Sequence, residues 1–284
     1  MSTPDSNDKR GEALRQQRFK MLEDIATEMS EDIVFPTCFD VSLRLRNALR
    51  DSDISIDRIA EVVQIEPLIS SRLIRQANVA ARISRDEVRD VPTAVLKLGL
   101  KAVRNIALGV AINQLVKSKE LLPFSELSRR LWEHSIYTAS AAVVIGRKLS
   151  SVNPDEAAFA GLVHDLGAFY MLYRAAQYEE LRTRPDSLRY LISNWHESIG
   201  ESLLFALKLP GPLIEAAAYH DEPRPPLLEN PRTLGEVIYA ANALASAEFE
   251  WLDQAHVERR LGDQYHLLVP EIDAHFKALR AEYA

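Results

Sequence analysis

From Phe35 onward the apolar residues recur at helical rather than strand spacing. Val41, Leu43, Leu45 and Leu49 begin one such stretch, and Ser55 is placed to cap a second carrying Ile59, Val62 and Val63. Pro67, Pro92, Pro154, Pro212, Pro231 and Pro270 each stand just ahead of an apolar helical pattern, as first-turn prolines do. Only 10 glycines occur, and no Asn-Gly or Asp-Gly turn separates alternating runs. The pattern predicts an all-α protein, a multi-helix bundle of about a dozen helices.

A charged stretch from Lys117 to Ser125, closed by Leu122-Pro123, divides the chain. The expected organisation is a flexible N-terminus with an amphipathic helix over 1–30, then a body over 31–250 with halves 31–123 and 124–250. A C-terminal helical extension, broken near Gly262, fills 251–284. Leu14, Phe19, Met21, Leu22 and Ile25 supply the apolar face of the first helix. With 47% hydrophobic residues the chain can bury a sizeable core. A net charge of −7 disfavours nucleic acid or an anionic membrane as partner. The single cysteine, Cys38, excludes an internal disulfide and fits a reducing compartment. Met1 to Arg10 holds no apolar signal region, and apolar runs such as Ile106 to Ile112 are too short to span a bilayer. A cytoplasmic protein is expected.

The candidate chemistry gathers in the second half. Gly161-Leu162-Val163-His164-Asp165-Leu166-Gly167 places an adjacent His-Asp pair in an apolar run, where burial is costly unless the pair is bonded or coordinated. Asn153 as cap, Pro154 as first residue and Glu156 three residues on start a helix that would carry the pair about three turns in. His134 lies in Leu131-Trp132-Glu133-His134, His196 in Trp195-His196-Glu197, and His220-Asp221 ends Ile214 to Tyr219. Singly, each reads as a satisfied core histidine or a helix-terminus group. His256, His266 and His275 have no matching carboxylates.

This ordered set along an all-α chain resembles the HD superfamily of metal-dependent phosphohydrolases, and more closely the HDOD family, the metal-dependent output domain of bacterial signalling proteins. The first half carries the resemblance in Phe35-Pro36, Glu66-Pro67-Leu68, Leu73 to Asn78 and Ala94 to Leu100. The second half carries it in Leu131 to Ser135, Ala160 to Gly167, His196 to Gly200 and Leu209 to His220. The resemblance implies His134, His164 and Asp165 as metal ligands, with His196 and His220 at positions that hold a second ion in the related HD-GYP cyclic-di-nucleotide phosphodiesterases. It also shows departures. Asn242 stands where a later helix should supply an aspartate, Ala168 replaces a phosphate-holding lysine, and Asp221 replaces the second histidine of a His-His pair.

An asparagine oxygen can coordinate but brings no charge, so a His-His-Asp-Asn set has one formal negative charge where the full set has two. Losing the lysine also removes a cation aimed at the transition state. The expected function is therefore a bacterial signal-transduction protein, a non-catalytic HDOD module with a degenerate site, acting through protein partners. The terminal amphipathic segments would supply partner or homodimer contacts. No cofactor is needed for that role, although iron, manganese, nickel or zinc would suit an occupied site. Two alternatives stand beside it. One is a metal-dependent phosphohydrolase or phosphodiesterase acting on nucleotides. The other is a sensor that binds a cyclic di-nucleotide without cleaving it, with Arg72, Arg75, Arg82 and Arg85 as a basic stripe.

Overall fold

The computed structural model describes residues 12–30, 36–49, 54–80, 87–221, 229–249, 251–252 and 261–283. Among these the chain is helical throughout with no strand, as the periodicity predicts. Phe35, Arg82, Arg85 and His256 lie outside the described residues. The chain forms two compact units, one from residues 35–115 and the other from residues 1–34 with 116–284.

The helix preceding the smaller unit is α1 (Glu12–Ser30). The smaller unit holds α2 (Asp40–Ala48), α3 (Ile56–Gln64), α4 (Pro67–Ala80) and most of α5 (Val91–Val116). Ser55 caps α3 as expected, its hydroxyl accepting from the Arg58 amide at 3.2 Å. Leu45, Ile59, Val63, Leu73, Val95 and Val103 pack in its core. The Asn78 side chain pins the end of α4 to the segment before α5. Its amide donates to the Val88 carbonyl at 2.8 Å and its oxygen accepts from the Val88 amide at 2.7 Å. Gly99, at φ +79, takes a left-handed conformation and bends α5.

The larger unit is built on α6 (Ser125–Lys148), which is buried without interruption from Leu131 to Gly146. A helix covered on all sides belongs at the centre of a bundle. Around it pack α7 (Pro154–Val163), α12 (Leu234–Glu248) and α14 (Val269–Tyr283). Beyond these, α8 (Leu166–Ala175) packs on α10 (Pro185–Ala206), and α11 (Gly211–Ala218) rests against α10 and α12. Two single-turn helices, α9 (Glu179–Arg182) and α13 (Asp263–His266), complete the set. The start of α7 follows the sequence reading, with Asn153 Oδ1 accepting from the Asp155 and Glu156 amides at 3.0 Å each.

The two terminal helices turn their apolar faces inward. On α1, Leu14, Met21 and Ile25 are buried, and polar anchors tie the helix to α8 and the segment after it. Arg174 donates to Glu28 at 2.7 Å, Tyr170 donates to Glu28 at 2.8 Å, and the Glu180 amide donates to Gln17 at 2.9 Å. On α14, Ile272, Phe276 and Tyr283 are buried, and Arg280 pairs with Glu133 at 2.9 Å. Part of the apolar face of α1 is taken up within the chain in this way, while Phe19 on the same helix is 70% exposed.

Candidate metal centre

Three glycines decide how closely the helices bearing the histidines can approach. A Cβ on Gly161 would stand 2.8 Å from the Ala139 backbone, so α7 crosses α6 at near contact. A Cβ on Gly167 would stand 2.0 Å from the His196 carbonyl and 2.5 Å from the Gly200 amide, so α8 and α10 meet glycine to glycine. These crossings bring His134, His164-Asp165 and His196 to one point inside the larger unit.

The His-Asp pair does not continue its helix, and this corrects the expectation that it would lie on one rigid helix. α7 ends at Val163, and α8 begins at Leu166 after Asp165 at φ −95, ψ 20. The cause is local. His164 Nδ1 lies 2.8 Å from the Gly161 carbonyl, the group that a continuing helix would offer to the Asp165 amide. The Asp165 carbonyl then starts the next helix, accepting from the Ala168 and Phe169 amides. The same device recurs at the second pair. His220, just beyond α11, sets its Nδ1 2.7 Å from the Ala217 carbonyl, and the Asp221 amide donates instead to Glu197 at 3.0 Å.

All seven candidates assemble. His134, His164, Asp165, His196, His220 and Asn242 are each 2% exposed or less, and Asp221 lies at the margin. They form two sets joined by one carboxylate. On one side, His134 and His164 bring their Nε2 atoms to 3.3 Å, with Asp165 Oδ2 3.1 Å from His164 and 3.6 Å from His134. Asn242 Oδ1 completes this set, 2.9 Å from His134 Nε2. On the other side, His196 and His220 bring Nε2 to 3.2 Å, with Asp165 Oδ1 3.6 Å and 3.2 Å away. Asp221 Oδ2 stands 3.4 Å from His196 Nε2. Asn242 links the sets, its amide donating to Asp221 at 2.9 Å.

This donor set fits a divalent transition metal. A carbonyl can only accept, so His164, His196 and His220 each donate through Nδ1, and wherever such a ring is neutral its Nε2 lone pair faces inward. When both are neutral, His196 and His220 therefore point two lone pairs at each other across 3.2 Å, an arrangement that calls for a cation or a proton between them. Donors about 2.0–2.1 Å from a tetrahedral ion stand about 3.4 Å apart, close to the spacings found here. His134, His164 and Asp165 could hold one ion, and Asp165, His196 and His220 another.

The electrostatics carry the same signature. Burial alone would drive the His220 imidazolium towards its neutral form, but Asp221, Asp165 and Glu197 push its pKa up to about 9. Burial likewise opposes the Asp165 carboxylate, and His164 and His220 hold it well below the ordinary carboxylate range. Without metal, a proton on His220 supplies the positive charge that the carboxylates demand.

Sequence reasoning missed two neighbours of the centre. Glu197, next to His196, holds the Asp221 amide and lies 3.6 Å from His220 Nδ1. Trp251 sets its buried ring edge-on against both His134 and His196, with centroids 6.3 Å and 5.9 Å away. Glu197 stands in the His196 to Gly200 stretch and adjacency to His196 could have flagged it, whereas Trp251 stands in no recognisable motif. Ala168 is fully buried beside the site and brings no cation. Arg72 and Arg75 lie on α4 in the other unit.

Among the described residues no helix is long and apolar enough to cross a membrane. Comparison with known proteins gives a match to the HDOD domain model over residues 35–223. A crystal structure from Shewanella amazonensis SB2B, provisionally named a metal-dependent phosphohydrolase, is 22% identical with a TM-score of 0.66. The likeness covers 95% of this chain and 100% of that one. An HDOD domain protein of unknown function from Geobacter sulfurreducens is 21% identical with a TM-score of 0.57, over 95% of this chain and 98% of its own. At these identities the likeness is one of fold. An uncharacterized protein of Treponema pallidum (strain Nichols) is 21% identical over 221 residues, 73% of this chain and 41% of that protein. The chain thus spans about two-fifths of that curated relative.

Proposed function

The chain belongs to the HDOD family, and from that premise we propose that it is a bacterial signal-transduction protein acting through protein partners. Its His/Asp centre holds divalent transition metal as a structural or sensing element and does not turn over phosphodiesters. The observation that carries this reading is the closed, charge-poor character of the His134 side. Its donors are 0–2% exposed, and its fourth donor is the Asn242 amide rather than a carboxylate. A bound ion acidifies water and neutralises charge on phosphate when substrate can reach it. Here His134, His164, Asp165, His196 and His220 would hold the metal, while a neutral amide and buried Ala168 stand where charged groups would steer a phosphate. For protein contacts, α10 exposes large side chains, with Tyr190 at 53%, Trp195 at 48% and Phe205 at 64%.

Elemental analysis of chain purified without chelator, followed by assays on cyclic di-nucleotides and a generic phosphodiester with manganese or iron, tests the proposal. Bound metal without turnover is the expected result. Turnover that disappears in His164→Ala overturns it. A phosphohydrolase is the second reading, favoured by one feature: two three-residue sets sharing the Asp165 carboxylate form a layout able to hold paired ions.

A further inference from the structure

The geometry points to Trp251 as the cap of the metal centre, a positioning residue supplied by the segment that follows α12. This rests on the metal reading above and adds to it. Trp251 lies beyond residues 35–223, the stretch that matches the family model, and no motif of the sequence marks it. Among the described residues its ring is the one indole, phenyl or phenol shown against a histidine of each set, standing at 62° to His134 and 86° to His196. Both contacts present a ring edge to a ring face or edge, the favoured aromatic arrangement. Trp251 is 6% exposed and its neighbour Leu252 3%, so the indole is a seated wall and not a passing surface group.

Such a wall does two things. It locks the orientation of one imidazole in each set, complementing the carbonyl that fixes His196 Nδ1. It also replaces the water that would otherwise reach the Nε2 atoms, so a held ion leaves slowly and exchanges ligands slowly. His134, which the indole touches, lies on α6, and α14 grips the same helix through the Arg280–Glu133 pair and the Trp132–Tyr283 contact.

Cobalt(II) is a suitable probe, since imidazole and carboxylate donors bind it and its visible absorption reports ligand exchange. Full-length wild type, Trp251→Ala and Trp251→Phe are loaded with cobalt and challenged with EDTA. Trp251→Ala should release the ion about tenfold faster, and Trp251→Phe, which restores an aromatic wall, should stay close to wild type. Fluorescence supplies a readout that does not depend on the alanine variant folding. Cobalt should quench wild type more than Trp251→Phe, which retains Trp132 and Trp195 as emitters. Equal release rates in wild type and Trp251→Ala, or equal quenching in wild type and Trp251→Phe, overturn the cap while leaving the metal reading intact. A wild-type chain that takes up no cobalt overturns the metal reading itself, and the cap with it.

Discussion

The two halves of the candidate metal centre share a carboxylate and differ in the fourth polar group beside them. Around His134 and His164 that group is an amide, Asn242, at 2.9 Å; around His196 and His220 it is a second carboxylate, Asp221. The histidine geometry is nearly the same, with paired Nε2 atoms 3.3 Å and 3.2 Å apart. Formal charge, not shape, separates them. The His196 side should therefore be the tighter site for a divalent ion, and the His134 side the weaker one.

Removing the shared group tests that comparison most severely. Asp165→Asn should empty both sides and leave the His220 cation without its buried partner, at a cost of about 3–5 kcal/mol in urea unfolding of metal-free protein. If only one side lost its metal in elemental analysis, the carboxylate would not be shared.

The next effect concerns pH. His220 titrates at 6.5 when unperturbed and at about 9 in the fold, so its folded pKa is raised. Its contribution to metal-free stability is fully present below about 6.5 and is lost as pH rises through about 9. At about 1.4 kcal/mol per pH unit this amounts to about 3 kcal/mol. Thermal melting of metal-free protein from pH 6 to 10 should follow that decline, and His220→Gln should flatten it. A profile that His220→Gln leaves unchanged would remove the proton from its role as metal substitute.

Glycine substitutions sharpen the contrast by acting on one side at a time. Gly167→Ala forces α8 from α10 and should disturb the His196 side, costing about 1–3 kcal/mol of stability. Gly161→Ala forces α7 from α6 and should disturb the His134 side, with a cost near the lower end of the same range because its clash is milder. Cobalt titration of each variant reads which half weakens. A comparably small effect is a gain: Asn242→Asp should tighten the weaker side about tenfold, equivalent to about 1.4 kcal/mol, by isothermal titration. No gain there would mean that charge does not set the difference.

Much of this centre is legible in the chain before folding. His134, His164-Asp165, His196, His220-Asp221 and Asn242 stand in order, and every one of them reaches the site. Helical periodicity and proline placement likewise predict the all-α class. The missing parts have a common cause. The break at His164-Asp165 arises because an imidazole competes for a backbone carbonyl, and an apolar run gives no sign of that contest. Trp251 reaches the histidines only through tertiary packing of a segment with no motif around it. Glycine-permitted crossings at Gly161 and Gly167 show in the sequence as small residues, and only the partner backbone reveals what they make room for.

The ten residues of α8 span about 15 Å. Asp165 is fixed immediately before one end of this rod, and Arg174, gripped by Glu28, lies near the other. The first helix and the His/Asp cluster thus hold opposite ends of a single lever. Pulling Glu28 away would tug on the shared carboxylate, and filling or emptying the centre would be felt at the chain's N-terminal arm.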